Sequence, residues 1–320
     1  MIDLISKNNV FKIWPDYKLP NLKIMWSSKA SPKEIEGVFK ELYPPSFPVL
    51  YPSARAGLSA ITELLFSRSD KVWLPPFASH CLINTVGLTS TPTPELTNDV
   101  KATLIFHQWG YVHKVNFKGI VIEDSADTLI QPNGHIFPND GRFELLSLPK
   151  IFGCFFGGII LCQKEQDALN LKKIREKRGI LKWKHILDKI RGQKSQYSFL
   201  KWNNAEPENG FLPSLICNDI LNTISSIDRY IDDRKSKLLL INKSPIKGLC
   251  DWEETRLPSC LPIALSNSME EGEYYKSFIR HFSLNKDFSS MQKVLPIGIH
   301  FDVSVKQIED FILDYKKIFF

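Results

Sequence analysis

Short, continuous apolar runs separated by helical stretches are the feature that most restricts the fold of this chain. Residues 102–106, 119–122 and 158–161 are apolar at nearly every position and do not alternate with polar residues. Such runs are typical of strands buried on both faces of a parallel sheet. Between them lie segments such as 56–65, where apolar side chains recur at helical spacing. The pattern predicts an α/β fold with a mainly parallel sheet.

The chain is long enough for more than one domain. It has 320 residues, whereas a single domain typically has about 100–200. Residues 216–240 predict a long amphipathic helix, and short strands and helices follow from residue 261 to a final amphipathic helix over 305–319. We therefore predict a large α/β domain over residues 1–215 and a small α+β domain over residues 216–320.

Composition and charge exclude several classes of protein. Hydrophobic residues make up 43% and charged residues 24%, with a net charge of +6, which is typical of a globular chain and excludes a disordered one. No apolar run reaches the length of about 18 residues that a membrane-spanning helix needs, and no signal peptide is visible. The six cysteines are scattered, without the paired spacing of a zinc site or a disulfide framework. We therefore expect a cytoplasmic protein with reduced thiols and no bound metal.

Residues 172–194 are strongly basic, with ten lysines and arginines against only Glu176 and Asp188. One interpretation is a solvated helical face. Another is a surface that docks an anionic substrate. Nucleic-acid binding is disfavoured, because the rest of the chain is nearly balanced in charge and no reader motif accompanies the segment.

Lys150 is the first candidate for chemistry. It follows Ser147 by three positions and precedes the pair Gly157 and Gly158, after which a buried strand begins. A lysine in an enclosed site can lose its proton and form a Schiff base with an aldehyde cofactor. A serine nearby can donate a hydrogen bond to a phosphate. Taken alone, however, the segment is also explained by a solvated surface lysine.

Two further segments carry polar groups at the end of a strand or the start of a helix. Asp124 ends an apolar strand, where a carboxylate can keep the ring nitrogen of pyridoxal phosphate protonated. An ordinary turn or capping aspartate is the alternative. Ser53 and Arg55 open a helix whose backbone N–H groups, together with these side chains, would hold a phosphate. A plain capped helix is the alternative there.

The order and spacing of these segments resemble the DegT/DnrJ/StrS sugar aminotransferases, which are pyridoxal phosphate enzymes of fold type I. Lys150 and the glycine pair match the family's cofactor lysine and the turn after it, and Asp124 lies in the match to its E-D-A-A motif. The resemblance covers most of the chain. Its other matches are residues 53–58 with a small-residue turn, 74–79 with V-P-x-F/Y-T-F, 106–110 with V-H-x-x-G and 295–300 with the closing L-P segment.

The resemblance implies a function and a set of site residues. The implied reaction is transamination of a nucleotide-linked keto-sugar, with glutamate as the amino donor, in a homodimer that carries pyridoxal phosphate. Lys150 would bind the cofactor and move a proton as the base, and Asp124 would bind the ring nitrogen. Arg175 and Lys177 would meet the diphosphate of the substrate. The other implied cofactor contacts are the phosphate-binding Ser53, Ala54, Arg55 and Ser147, the ring-covering Phe77, Ser79 or His80, and Asp127.

The chain departs from the family pattern at several positions. Arg55 stands at the family's phosphate-binding Thr or Ser, Ser79 at its ring-stacking aromatic residue, and Asp127 at a Gln or His. Residues 210–213 replace the N-x-R segment that reaches the neighbouring subunit's cofactor. These departures leave an alternative function open, namely a paralogue of the same fold that has lost catalysis and acts in binding or regulation.

Overall fold

A seven-stranded sheet with helices packed against it forms the centre of the protein. The computed structural model describes residues 10–19, 30–192, 207, 210–246, 248–265, 273–285 and 287–319. The strands of the first half are β1 Phe47–Tyr51, β2 Lys71–Trp73, β3 Thr91–Thr93, β4 Val100–Phe106, β5 Ile120–Asp124, β6 Leu129–Ile130, β7 Phe143–Ser147 and β8 Gly158–Cys162. The helices are α1 Pro32–Leu42, α2 Ala54–Leu65, α3 His80–Val86, α4 Leu148–Phe152, α5 Glu165–Lys177, α6 Trp183–Gly192, α7 Ser214–Ile224, α8 Ile227–Asn242, α9 Glu273–Lys276 and α10 Val305–Phe319.

The large sheet has the strand order β1-β8-β7-β5-β4-β2-β3. All neighbouring strands from β3 to β7 run parallel, whereas β8 is antiparallel to both β7 and β1. The three apolar runs singled out in the sequence form β4, β5 and β8. The predicted α/β class with a mainly parallel sheet is confirmed.

The register of the parallel strands places their polar ends at one edge of the sheet. Asp124, the last residue of β5, pairs with Phe106 on β4 and with Leu145 on β7. The side chains that follow these strands are therefore neighbours although they are far apart in sequence. This edge is where parallel α/β sheets build their sites.

Helix α2 begins at this same edge. Ser53 caps it, because its extended backbone lets Oγ accept the N–H of Ala56 at 3.1 Å. Its buried residues then pack on the sheet. A Cβ atom at Gly57 would lie 2.9 Å from Cγ1 of Ile160, so glycine allows the helix to sit close against β8.

The second half of the chain builds a smaller antiparallel sheet. That sheet consists of β10 Cys260–Ala264, β11 Arg280–Ser283 and β12 Met291–Gly298, and a further short strand, β9 Arg256–Leu257, precedes it in the chain. Strand β12 lies between β10 and β11, while β9 pairs with β6 of the first half. One hydrophobic cluster contains Leu146 and Phe155 together with Ile220 and Leu295, so the core is continuous across both halves. The division at residue 215 stays a prediction.

Among the helices that the structure describes, none is long and apolar enough to cross a membrane.

Candidate active site

The polar end of the sheet is tied together by backbone hydrogen bonds between neighbouring strand ends. The N–H of His107, just after β4, donates to the carbonyl of Asp124 at 2.8 Å. The N–H of Ser125, just after β5, donates to the carbonyl of Leu145 at 2.9 Å. The chain ends of β4, β5 and β7 therefore form one rigid platform, on which the candidate side chains stand.

The glycine pair joins the start of α2 to this platform. Gly157, at a φ of 120° that disfavours other residues, donates its N–H to the carbonyl of Pro52 at 2.8 Å. Gly158 pairs with Ser147, and a Cβ atom on it would lie 2.2 Å from the backbone of Ser53 and Ala54. The predicted phosphate-binding groups at the start of α2 therefore lie beside Ser147, and Arg55 is buried one residue further along.

Lys150 is paired with one carboxylate, Asp127, and a second carboxylate, Asp124, acts on it through its charge. Its Nζ atom lies 3.0 Å from Oδ1 of Asp127, and its side chain is about one third exposed. Burial opposes the charged amine, but the negative charges of Asp127 and Asp124 outweigh it and raise the pKa of Lys150 above its usual value. The resting lysine is therefore an ammonium group held by Asp127.

Asp124, the last residue of β5, is half-buried. Burial raises its pKa to about 6, an effect that the Lys150 cation reduces and the Asp127 charge reinforces. The backbone N–H of Ala126 donates to its Oδ1 at 3.0 Å and fixes its orientation. At neutral pH this group is mostly ionised, although ionisation is costly in this environment. It is therefore suited to pair with a cation brought by a ligand.

The charged form of Asp124 is disfavoured by burial, and this lowers the stability of the cofactor-free protein at neutral pH. The folded carboxyl holds its proton more tightly than the unfolded one, so its contribution to stability falls as pH rises from about 4 through about 6. Asp124→Asn, which stays neutral, should therefore melt at a higher temperature than the wild-type apoprotein at pH 7.5. Differential scanning calorimetry from pH 4 to 8 checks this. The prediction would be contradicted if the difference in melting temperature between the two proteins did not shrink toward pH 4.

A buried ionic network supports β5 and β7 beneath the site. Arg256 donates through Nη2 to Oε1 of Glu144 at 2.7 Å and to Oγ of Ser125 at 2.6 Å, and both ionic side chains are fully buried. Ser125 also donates to the same oxygen of Glu144 at 2.5 Å. The sequence analysis missed this network. Its only local signal is a glutamate among the apolar residues of 143–146.

His107, from the V-H-x-x-G match, belongs to a second buried network. Its Nδ1 accepts the backbone N–H of His113 at 3.1 Å, so its Nε2 carries the proton and donates to Oε2 of Glu123 at 2.9 Å. Asn139 completes the coordination of that carboxylate with its side-chain amide at 2.9 Å. Burial, reinforced by Arg256, lowers the pKa of His107 to about 3. His107 is therefore neutral, and its hydrogen bonds connect the end of β4 to the end of β5.

The three residues predicted to cover a cofactor ring surround the start of α3. Ser79 caps this helix and lies 3.0 Å from Cys81 through Oγ and Sγ, while His80 is exposed beside it. Phe77 has a φ of 68°, is 70% exposed and stacks on His281 with the ring centres 6.4 Å apart. Cys81, in the first turn of α3, is among the groups whose negative charge would raise the pKa of Lys150.

An aromatic side chain that the sequence analysis missed lies directly on the site. Trp14 donates from Nε1 to Oδ1 of Asp127 at 2.7 Å. The Nζ atom of Lys150 lies 4.4 Å from the centre of its ring. Residue 14 lies in an N-terminal region with no apolar period, so its pairing with a group 113 positions away had no local signal.

The predicted substrate-binding pair on α5 is not brought to Lys150. Arg175 is buried and donates to Oε1 of Glu36 at 2.5 Å and to the carbonyl of Leu50 at 2.7 Å. Lys177 is exposed in the last turn of the helix. The basic segment therefore has a structural role at Arg175, and the substrate contacts of the pair stay predictions.

The described residues fit pyridoxal phosphate by the chemistry of their side chains. Lys150 supplies an amine for its aldehyde, and Asp124 supplies an enclosed carboxylate for its ring nitrogen. The start of α2, held against Ser147 by the glycine pair, supplies a hydroxyl at Ser53 and a guanidinium at Arg55 for its phosphate. The contacts themselves stay predictions.

The chain is similar to known proteins in both sequence and structure. The family model described as "Putative PLP-dependent aminotransferase" matches residues 35–309. The "Putative sugar aminotransferase Spr1654" from Streptococcus pneumoniae in its PMP form has a TM-score of 0.65 at 14% identity, covering 95% of this chain and 97% of that chain. PseC from Helicobacter pylori, an aminotransferase in pseudoaminic acid biosynthesis, has a TM-score of 0.62 at 13% identity, covering 96% and 99%. DesV from S. venezuelae has a TM-score of 0.61 at 16% identity, covering 98% and 94%.

At these identities the structural likeness shows a shared fold. No curated protein sequence matches the chain.

Proposed function

Because the chain belongs to the family of PLP-dependent aminotransferases, we propose that it transfers an amino group from glutamate to a nucleotide-linked keto-sugar. The sugar substrate is supported by the solved structures it resembles, which include sugar aminotransferases. The observation that carries the proposal is the ion pair of Lys150 with Asp127 at the polar end of the sheet, where the charge of Asp124 also acts on the lysine.

The proposed mechanism begins with the proton on Lys150. When bound, pyridoxal phosphate supplies an aldehyde that bonds to an amine and a ring that accepts electrons. Lys150 must lose a proton before its Nζ atom can act as a nucleophile, and Asp127 lies within 3.0 Å to accept it. The neutral amine can then take a proton from a substrate carbon and return one, as a general base and acid. Asp124 keeps a cationic ring nitrogen in place through its charge.

The proposed role of Arg55 in binding the cofactor phosphate can be tested by substitution. A guanidinium forms two charge-assisted hydrogen bonds to a phosphate where a hydroxyl forms one. Arg55→Ala should therefore raise the dissociation constant of pyridoxal phosphate about tenfold or more. We expect the melting temperature of the apoprotein to stay nearly unchanged. Isothermal titration and calorimetry measure the two quantities. Arg55→Lys is the matched control, since it keeps the charge without the planar fork, and it should lose less affinity.

Two results would contradict this role of Arg55. Unaltered affinity in Arg55→Ala would mean that the phosphate is held elsewhere. A collapse of the apoprotein's stability would mean that the buried guanidinium is a structural partner instead.

A glutamate half-reaction tests the proposed function against the non-catalytic alternative. The purified protein, loaded with pyridoxal phosphate, is mixed with L-glutamate alone, and 2-oxoglutarate is measured. With glutamate alone, we expect close to one molecule of 2-oxoglutarate per active site. When a nucleoside-diphosphate keto-sugar is then added, turnover should continue, and the amino sugar formed is detected by mass spectrometry. A loaded protein that forms no 2-oxoglutarate from glutamate, or from other amino donors, would support the binding or regulatory paralogue.

We extend the proposal to assembly and location. The exposed apolar side chains of Phe77 and Ile83, close to the site, are of the kind that a second copy of the chain covers in a homodimer. The six cysteines are all free, which suits a reducing cytoplasm. Light scattering of the purified protein checks the dimer, and a mass of one chain would contradict it.

A further inference from the structure

Residues 12–18, which we call the N-terminal strap, pass beside the Lys150–Asp127 pair. The strap carries Trp14 near its middle. Three hydrogen bonds connect the strap to the loops around residues 153 and 300–302. His300 Nε2 bonds the carbonyl of Lys12 at 3.0 Å, and the N–H of Asp16 donates to Oδ2 of Asp302 at 2.6 Å. The N–H of Lys18 donates to the carbonyl of Gly153 at 2.9 Å. Trp14 is therefore held from both sides.

The indole of Trp14 contacts both members of the Lys150–Asp127 pair. Its N–H and the Lys150 ammonium approach the same oxygen, Oδ1 of Asp127, at 2.7 and 3.0 Å. Its ring covers the ammonium, with the ring centre 4.4 Å from Nζ, which is cation–π distance. An indole only donates a hydrogen bond, so Trp14 cannot itself take or return the proton of Lys150.

The N–H of Trp14 alters how strongly Asp127 holds Lys150. A donor on Oδ1 offsets part of the negative charge that this oxygen presents to the ammonium. The other groups that act on Lys150 are Asp124 on β5 and Cys81 on α3. Arg234 on α8 interacts electrostatically with Asp127 and donates to the carbonyl of Ile151 at 3.2 Å. None of these groups depends on the indole, so its effect can be isolated.

We infer that Trp14 is a positioning residue for Lys150, because its N–H fixes and moderates Asp127 while its ring shields the amine. The inference rests on the proposed function, since it concerns the lysine that the proposed reaction uses. When Lys150 gives up its charge, the indole N–H remains as the donor that keeps the Asp127 carboxylate in place. Trp14→Phe keeps a ring of similar character and removes only this donor.

The experiment measures the free amine of Lys150 directly, without cofactor. The apoprotein is labelled with a trace of acetic anhydride between pH 7 and 11, and acetylation of Lys150 is quantified by peptide mass. In Trp14→Phe the full charge of Asp127 acts on the ammonium, so we expect labelling of Lys150 at pH 9 to fall about three- to tenfold, a shift of about 0.5 to 1 pH unit. Trp73→Phe is the matched control, because its indole N–H bonds the carbonyl of Pro94 instead, and its labelling should stay unchanged.

A double-mutant cycle separates this role from a structural one. In an Asp127→Asn background the charge that Trp14 moderates is gone, so Trp14→Phe should no longer change the labelling of Lys150. The inference would be overturned if Trp14→Phe lowered the labelling of Lys150 equally in the Asp127→Asn background, or did not lower it in the single variant. Because the labelling needs no pyridoxal phosphate, the failure of the proposed function would appear separately, as a wild-type protein that does not react with the cofactor.

Discussion

Replacing Lys150 with alanine should lower the turnover of the loaded protein by about 10³-fold or more, since general acid–base catalysis alone contributes about 10²–10⁴-fold. The loss should exceed this contribution, because the amine also forms the covalent bond to the cofactor.

The measurement is the rate of 2-oxoglutarate formation from glutamate at saturating pyridoxal phosphate. Lys164→Ala is the matched control, because Lys164 is exposed at the start of α5 and belongs to no part of the site, so its rate should equal that of the wild type. A Lys150→Ala protein that is folded and keeps a tenth of the wild-type rate would show that the amine is dispensable.

Asp124→Asn should lower turnover by at least about 10²-fold, which is typical for removing one preorganised electrostatic group from an active site. The amide has nearly the same shape, so the platform of strand ends should persist, but it cannot balance the charge of a protonated ring nitrogen. Asp140→Asn is the matched control, because it makes the same change at an exposed position outside the site. An unaltered rate in Asp124→Asn would reduce Asp124 to a turn residue.

The two effects of Asp124→Asn point in opposite directions. The variant should be more stable than the wild type as an apoprotein at pH 7.5, because it removes a carboxylate whose pKa burial raises to about 6. It should nevertheless be far less active. This combination would indicate a charge kept for catalysis at the expense of stability, as is common where active sites require strained groups.

The sheet and its polar edge were predictable because their signals are local. Continuous apolar runs mark strands buried on both faces, and Asp124 ends one of these runs while Lys150 lies shortly before another. The glycine pair also has a local reason, since a close approach of β8 to the start of α2 excludes any side chain at Gly158. What the runs could not give is the order of the strands, which makes β5 and β7 neighbours.

The missed residues are those whose partners lie far away along the chain. Trp14 meets Asp127 across 113 positions, and Arg256 meets Glu144 across 112. Nothing in the residues around either one indicates its partner, because the contact exists only once the core has formed. The same reason explains Arg175, whose basic surroundings suggested an exposed surface although its partner Glu36 lies 139 positions earlier.

The central claim, that Lys150 is the residue that binds pyridoxal phosphate, is tested most directly by chemical trapping. The protein is incubated with pyridoxal phosphate, reduced with borohydride, digested and mapped by mass spectrometry. Our account predicts one phosphopyridoxyl group per chain, located on Lys150, and none on that peptide in Lys150→Ala. A wild-type protein that carries no such group after reduction, or carries it mainly on another lysine, would contradict the account.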